Sequence, residues 1–182
     1  MRKKILIAVA VLAVIVAVFA GVVAMQPSEY RVVRSATIDG SPEEVFDLVN
    51  DFHAWEAWSP WSKLDPAATS EFTGPSSGKG ASFKWSGNDD IGEGVMTITD
   101  SQPHDLIRLD LEFIRPFPGQ CVTEFAFKPE GEQTEVTWSM SGENDFFSKA
   151  VCMFMDMDAM LGANFEEGLA NMNKVAKAAK SE

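Results

Sequence analysis

An α+β fold, in which a curved antiparallel sheet of about six to seven strands wraps one long carboxy-terminal helix, is what this chain predicts from three observations. Beyond residue 25, only the stretch 144–180 carries sustained helical periodicity: Phe147, Val151, Phe154, Leu161, Phe165, Leu169, Met172 and Ala176 recur at steps of three, four or seven. Residues 69–141 instead break into short runs with alternating apolar and polar positions, divided by glycine, proline and asparagine. Two short helical pieces follow the first strand, and an apolar helix precedes everything.

The amino-terminal helix comes first. Arg2, Lys3 and Lys4 precede an uncharged, almost wholly apolar run over residues 5–25, which as a helix measures ~31 Å, enough to cross the hydrocarbon core of a bilayer. The basic cluster predicts the amino terminus inside and the following domain on the extracytoplasmic, periplasmic side. The expectation is an uncleaved transmembrane anchor over residues 1–28, linker included, followed by one domain over residues 29–182. The competing reading is a secretory signal peptide cleaved after Ala20 or Ala24, which would release the domain. No cysteine lies near the end of the apolar run, which argues against lipoprotein processing.

The chain then reads in order. Tyr30 to Asp39 is rich in β-branched residues and predicts the first strand, ended by Gly40. Ser41-Pro42-Glu43-Glu44 opens a helix with a capping serine, a proline at the first turn and a glutamate three residues after the cap. A second short helical piece is expected from Asp51 to Trp58, before Ser59-Pro60. In the sheet region Ala81, Phe83 and Trp85 alternate with Ser82 and Lys84, and Ile107, Leu109, Leu111 and Phe113 alternate with Arg108, Asp110 and Glu112. Cys121, Phe125 and Phe127, then Val136, Trp138 and Met140, continue the same pattern, so one face of the sheet is aromatic and the other polar.

Several function classes are excluded by composition. The chain has 15 basic and 27 acidic residues, and with Arg2, Lys3 and Lys4 set aside the remainder carries a formal charge of −15. Such a surface repels phosphate backbones, so nucleic acid is not an expected partner. His53 and His104 are the only histidines, and both fall on segments expected at the surface, which argues against a metal site or a serine-histidine-acid triad. No phosphate-binding glycine loop occurs, and no cofactor is expected. Cys121 and Cys152 suit two buried small hydrophobes, with one disulfide as the alternative.

Five stretches carry a family likeness: Ser41-Pro42-Glu43-Glu44-Val45-Phe46; Trp55-Glu56-Ala57-Trp58-Ser59-Pro60-Trp61 with Asp65-Pro66; Gly78-Lys79-Gly80-Ala81; Gly92-Glu93-Gly94-Val95-Met96; and Gly162-Ala163-Asn164-Phe165-Glu166-Glu167-Gly168-Leu169. With these, residues 30–175 resemble the START-like superfamily, also called SRPBCC, of birch-pollen-allergen-like helix-grip proteins, in its polyketide cyclase and dehydrase branch. The resemblance implies a ligand cavity between sheet and carboxy-terminal helix. It does not imply a reaction, because fold does not carry function.

The residues expected to line that cavity are Trp58, Trp61, Phe83, Trp85, Met96, Leu111, Phe113, Phe125, Trp138, Met157, Leu161 and Phe165. Aromatic and methionine side chains make an adaptable apolar wall, so the expected partner is a hydrophobic small molecule or lipid. No catalytic constellation is evident. Asp158, set among apolar neighbours beside Asp156, is the one candidate proton donor or acceptor for a cyclase or dehydratase, against the plainer reading of a solvent-exposed acid on the helix flank. A third expectation, in a different class, is a protein-interaction module whose cavity is filled.

Overall fold

In the computed structural model, which describes residues 2–180, the elements run in the order α1 (Arg2–Ala24), β1 (Glu29–Ile38), α2 (Pro42–Asn50), α3 (Trp55–Trp58), β2 (Thr69–Thr73), β3 (Ser82–Ser86), β4 (Glu93–Gln102), β5 (Leu106–Arg115), β6 (Gly119–Glu130), β7 (Gln133–Glu143), α4 (Phe146–Cys152) and α5 (Met157–Ala179). Single 3-10 turns at Phe52–Ala54 and Pro60–Lys63 flank α3. Met1, Ser181 and Glu182, at the ends of the segments expected from the sequence, lie outside the described residues.

The contacts within the chain define two units, one running to Tyr30 and including Glu143–Met157, the other comprising Arg31–Gly142 and the chain from Asp158 onward. The first holds α1, the linker and α4. Within it α1 packs on α4, Phe19 stacks on Phe154 with ring centroids 6.5 Å apart, and the Asn144 amide donates to the Ser28 carbonyl at 2.6 Å. α1 is long and apolar enough to cross a membrane by length and composition.

The second unit holds most of an open seven-stranded antiparallel sheet, ordered β1-β7-β6-β5-β4-β3-β2. Each strand from β2 to β7 pairs with the next in sequence, and β1 closes the far edge beside β7. Register places the inward side chains in rows across the strands. Phe72, Phe83, Met96, Leu111 and Cys121 form one row, Ile107, Phe125 and Trp138 another. The alternation read in the sequence thus becomes one continuous apolar face.

Local chemistry accounts for the helices beside that face. Ser41 and Glu44 form a reciprocal capping box, the Ser41 amide donating to the Glu44 carboxylate at 2.8 Å and the Glu44 amide to Ser41 Oγ at 3.4 Å. The far end of α2 is closed by tryptophans. Trp55 Nε1 donates to the Val49 carbonyl at 2.9 Å and Trp58 Nε1 to the Leu48 carbonyl at 2.8 Å, which satisfies two carbonyls in the helix's last turn. The tryptophan-rich motif is therefore a helix terminator whose rings also enter the core.

The carboxy-terminal helix differs from its sequence expectation. Residues 144–180 are two helices, because α4 ends at Cys152 and α5 starts at Met157. Phe147 and Phe154, expected on the inward stripe, are 60% and 78% exposed. No glycine or proline marks the break, so periodicity carried the pattern across it. From Leu161 onward the stripe holds, with Phe165, Leu169, Met172 and Ala176 buried.

Gly162 and Gly168 are sites of close approach rather than of added space. A Cβ at Gly168 would stand 2.8 Å from Trp138 Cζ3 and 3.2 Å from Pro60 Cδ, and one at Gly162 would collide with the Arg34 guanidinium. Gly168→Ala is therefore expected to cost about 1–3 kcal/mol through overpacking against Trp138. Gly119→Ala, where an added methyl meets nothing within 4 Å, should leave the urea midpoint nearly unchanged, so equal midpoints for the two variants would contradict this packing.

Candidate functional site

Four rings fill the centre of the inner face: Trp58 from α3, Phe125 from β6, Trp138 from β7 and Phe165 from α5, all buried. Trp138 and Phe165 stack with centroids 4.2 Å apart and planes 7° apart, Phe125 lies 4.8 Å from Trp138, and Trp58 meets Trp138 edge-on at 5.7 Å. Such ring geometries add to the burial of the rings. Where the sheet's centre faces α5, side chains occupy the space.

Towards β3 and β4 the same face opens. Phe83, Trp85, Met96 and Phe113 are only half-buried, and so are Trp61 and Leu161. Phe83 lies 5.1 Å from Phe72 and 6.1 Å from Trp85, and Trp85 meets Phe113 edge-on at 6.2 Å. Trp85 lies over Gly94, where a Cβ would clash with its ring, and its Nε1 donates to the Ile91 carbonyl at 2.9 Å. Beside this floor is a concavity of about 270 Å³ lined by Phe52, His53, residues 72–76, Ala81 and Ser82.

The twelve residues expected to line a cavity therefore divide. Trp58, Phe125, Trp138 and Phe165 pack together, and Leu111 is buried one row away. Phe83, Trp85, Met96 and Phe113 form the half-exposed floor, while Trp61 meets Trp138 edge-on at 6.0 Å. Leu161 is half-buried on α5, and Met157, at the start of α5, belongs to the other unit. In that unit a wider concavity of about 540 Å³ is lined by the linker residues Gln26 and Pro27, by Lys149, and by residues 152–157.

Two polar atoms on the inner face stand out. Among the described residues, Thr123 Oγ1 and Trp138 Nε1 are buried side-chain atoms with no hydrogen-bond partner. Phe125 is opposite Trp138 and Thr123 opposite Met140, so Thr123 and Trp138 are diagonal neighbours on one face of β6 and β7. A buried unsatisfied polar group costs about 1–3 kcal/mol. The alternation pattern had marked Trp138 as apolar wall only and had passed over Thr123.

Asp158 sits elsewhere. It is 61% exposed and ion-paired at 3.1 Å with Arg34 of β1, whose Nε also donates to Glu166 at 2.8 Å. Arg34 reaches the Asp158 carbonyl as well, at 3.1 Å, and its guanidinium lies against Gly162. One arginine thus clamps residues 158, 162 and 166, one turn apart along α5. Hydrogen bonding to Arg34 lowers the Asp158 pKa, and hydrogen bonds to Asp158 first and Glu166 second raise that of Arg34. An acid held ionised in this way suits a tether better than a proton donor. His53 stacks on Phe72 at 4.1 Å, His104 meets Phe46 edge-on at 5.6 Å, and no metal-binding group of His, Cys, Asp or Glu occurs among the described residues. Cys121 is buried and Cys152 half-buried, and no disulfide joins them.

A curved antiparallel sheet holding a carboxy-terminal helix, with short helices after the first strand, defines a START-like helix-grip domain. Residues 29–177 match the family described as polyketide cyclase / dehydrase and lipid transport, and the chain belongs to that family. Solved structures of the same fold include protein CV1439 from Chromobacterium violaceum (14% identity over 83% of this chain and 98% of that one, TM-score 0.57). A protein of unknown function from Staphylococcus aureus, SA2116, is similar at 12% identity over 86% and 99% with a TM-score of 0.64. The Aha1 dimer from Colwellia psychrerythraea is similar at 15% identity over 81% and 96% with a TM-score of 0.58. At these identities the likeness is one of fold. No curated protein matches the chain by sequence.

The clamp predicts a pH dependence. The folded-state pKa of Asp158 is depressed, so its stabilising contribution is present above the ordinary carboxylate pKa of ~3.9 and is lost as pH falls below it. On titration, the NMR signal of Arg34 Nη2, which donates to the Asp158 carboxylate at 3.1 Å, should show a transition below about pH 4. In Asp158→Asn that signal should already be shifted at neutral pH, and an unchanged one would contradict the pairing.

Proposed function

We propose that the chain is a membrane-anchored, extracytoplasmic START-like domain that binds a hydrophobic small molecule or lipid against the inner face of the sheet. The observation that carries the reading is the half-exposed floor of Phe83, Trp85, Met96 and Phe113 on a face whose centre is buried. Soluble domains cover such side chains unless something else does so. The membership in a family described by cyclase, dehydrase and lipid-transport activity supports the same class of ligand.

Anchoring through α1 and extracytoplasmic placement rest on the length of that helix and on Arg2, Lys3 and Lys4 before it. A second reading, a protein-interaction module, is favoured by the four-ring cluster that fills the centre of the face.

Native mass spectrometry of the full chain released from detergent, with uptake of a fluorescent fatty acid, tests the ligand. Trp85→Ala and Phe113→Ala should each weaken uptake about tenfold, the scale of one lost large apolar contact. Co-purification of no apolar molecule, together with no uptake, would sink ligand binding and leave the interaction module standing. Thr123→Val separates the core from the floor: removing an orphaned buried hydroxyl should raise stability by up to about 1 kcal/mol while leaving uptake unchanged. For the anchor, extraction of the chain from membranes by alkaline carbonate, or protection of residues 29–182 from protease added to spheroplasts, would overturn the assignment.

A further inference from the structure

The unit that contains α1 exposes a second apolar element. Between Phe146 and Met155 the sequence is FFSKAVCMFM, which in a chain with 27 acidic residues contains one lysine and no carboxylate. Phe146 is 55% exposed, Phe154 78% and Met155 47%, and Phe147 and Met153 are exposed as well. These residues form α4 and the turn after it, the same turn that interrupts the expected carboxy-terminal helix.

The depth of this element relative to α1 follows from contacts within the unit. α4 packs on α1, and Phe154 stacks on Phe19. Phe19 lies five residues before the end of α1 at Ala24, which at 1.5 Å per residue is ~7.5 Å along the helix axis. Apolar side chains of interfacial elements bury ~5–10 Å into the boundary between headgroups and acyl chains. If the end of α1 lies at the outer surface, Phe154 is at acyl depth.

We propose that α4 and the turn through Met155 form a second membrane contact, lying in the outer interface with Phe146, Phe154 and Met155 among the acyl chains. The inference rests on the reading that α1 remains in the membrane. Lys149, in the middle of the stretch, is positioned to meet anionic headgroups, while the carboxylates that bound the stretch are Asp145, which caps α4, and Asp156 in the turn after it. The element turns the anchor from a single helix, free to swivel, into a two-point attachment.

The test uses the full chain in nanodiscs of phosphatidylethanolamine and phosphatidylglycerol, with photoreactive benzoylphenylalanine in place of Phe154 or, separately, of Val14 in the middle of α1. Both positions are exposed, so the fold should accept the replacement. Illumination should add the mass of one phospholipid at each position. Lipid adducts at 14 but only protein crosslinks or unreacted probe at 154 would overturn the proposal, with protein crosslinks assigning the surface to a second copy or another protein. Lipid adducts at 154 alone would remove the transmembrane reading of α1 and with it the two-point attachment, and adducts at neither position would remove both.

Discussion

The contact on which the domain depends is the face-to-face stack of Trp138 on Phe165, which joins the sheet to α5. It requires Gly168 one turn after Phe165, because any Cβ there would press into the indole at 2.8 Å. It also recruits Trp58, whose indole N–H simultaneously ends α2 at the Leu48 carbonyl. Helix termination, sheet curvature and the position of α5 are therefore coupled through one group of rings. Truncating a ring of this size in a packed core typically costs about 3–5 kcal/mol, a large part of the ~5–15 kcal/mol that keeps a domain folded.

That cluster also determines where the inner face is filled and where it opens. A helix gripped by a curved sheet suggests a central cavity, yet here the centre is occupied by rings and the half-exposed apolar surface is displaced towards β3, β4 and β5. The glycines tell the same story from the other side. Gly162 and Gly168 draw Arg34 and Trp138 against α5, so the helix approaches the sheet closely instead of standing away from it. Gly94 lets Trp85 lie flat over β4, which shapes the floor.

Most of the architecture was legible because it is written in local signals. Strand alternation gave the inner face residue by residue, and Ser41-Pro42-Glu43-Glu44 announced the start of α2. The interruption between α4 and α5 was not legible, because Met153-Phe154-Met155-Asp156 contains no helix breaker and continues the apolar spacing. The Arg34 clamp was equally hidden. It joins residues 124 positions apart, and nothing near Asp158 reveals that its partner sits on β1. The split between packed and half-exposed lining residues was hidden for a related reason: alternation reports which face a side chain is on but not what covers it.

Charge and apolar exposure follow one logic in this chain. Carboxylates on the outer face find cationic partners, as Glu124 does in Arg108 and Glu93 in Lys84 and Arg115, and such partly exposed pairs contribute little to stability. The apolar excess is concentrated instead, on α1, on the stretch from Phe146 to Met155 and on the floor of the inner face. The first two lie in one unit and share the Phe19–Phe154 stack. A domain that only needed solubility would disperse these side chains or cover them. Here they are instead segregated into a bilayer-length helix, a patch on α4 and the turn after it, and a half-open aromatic floor.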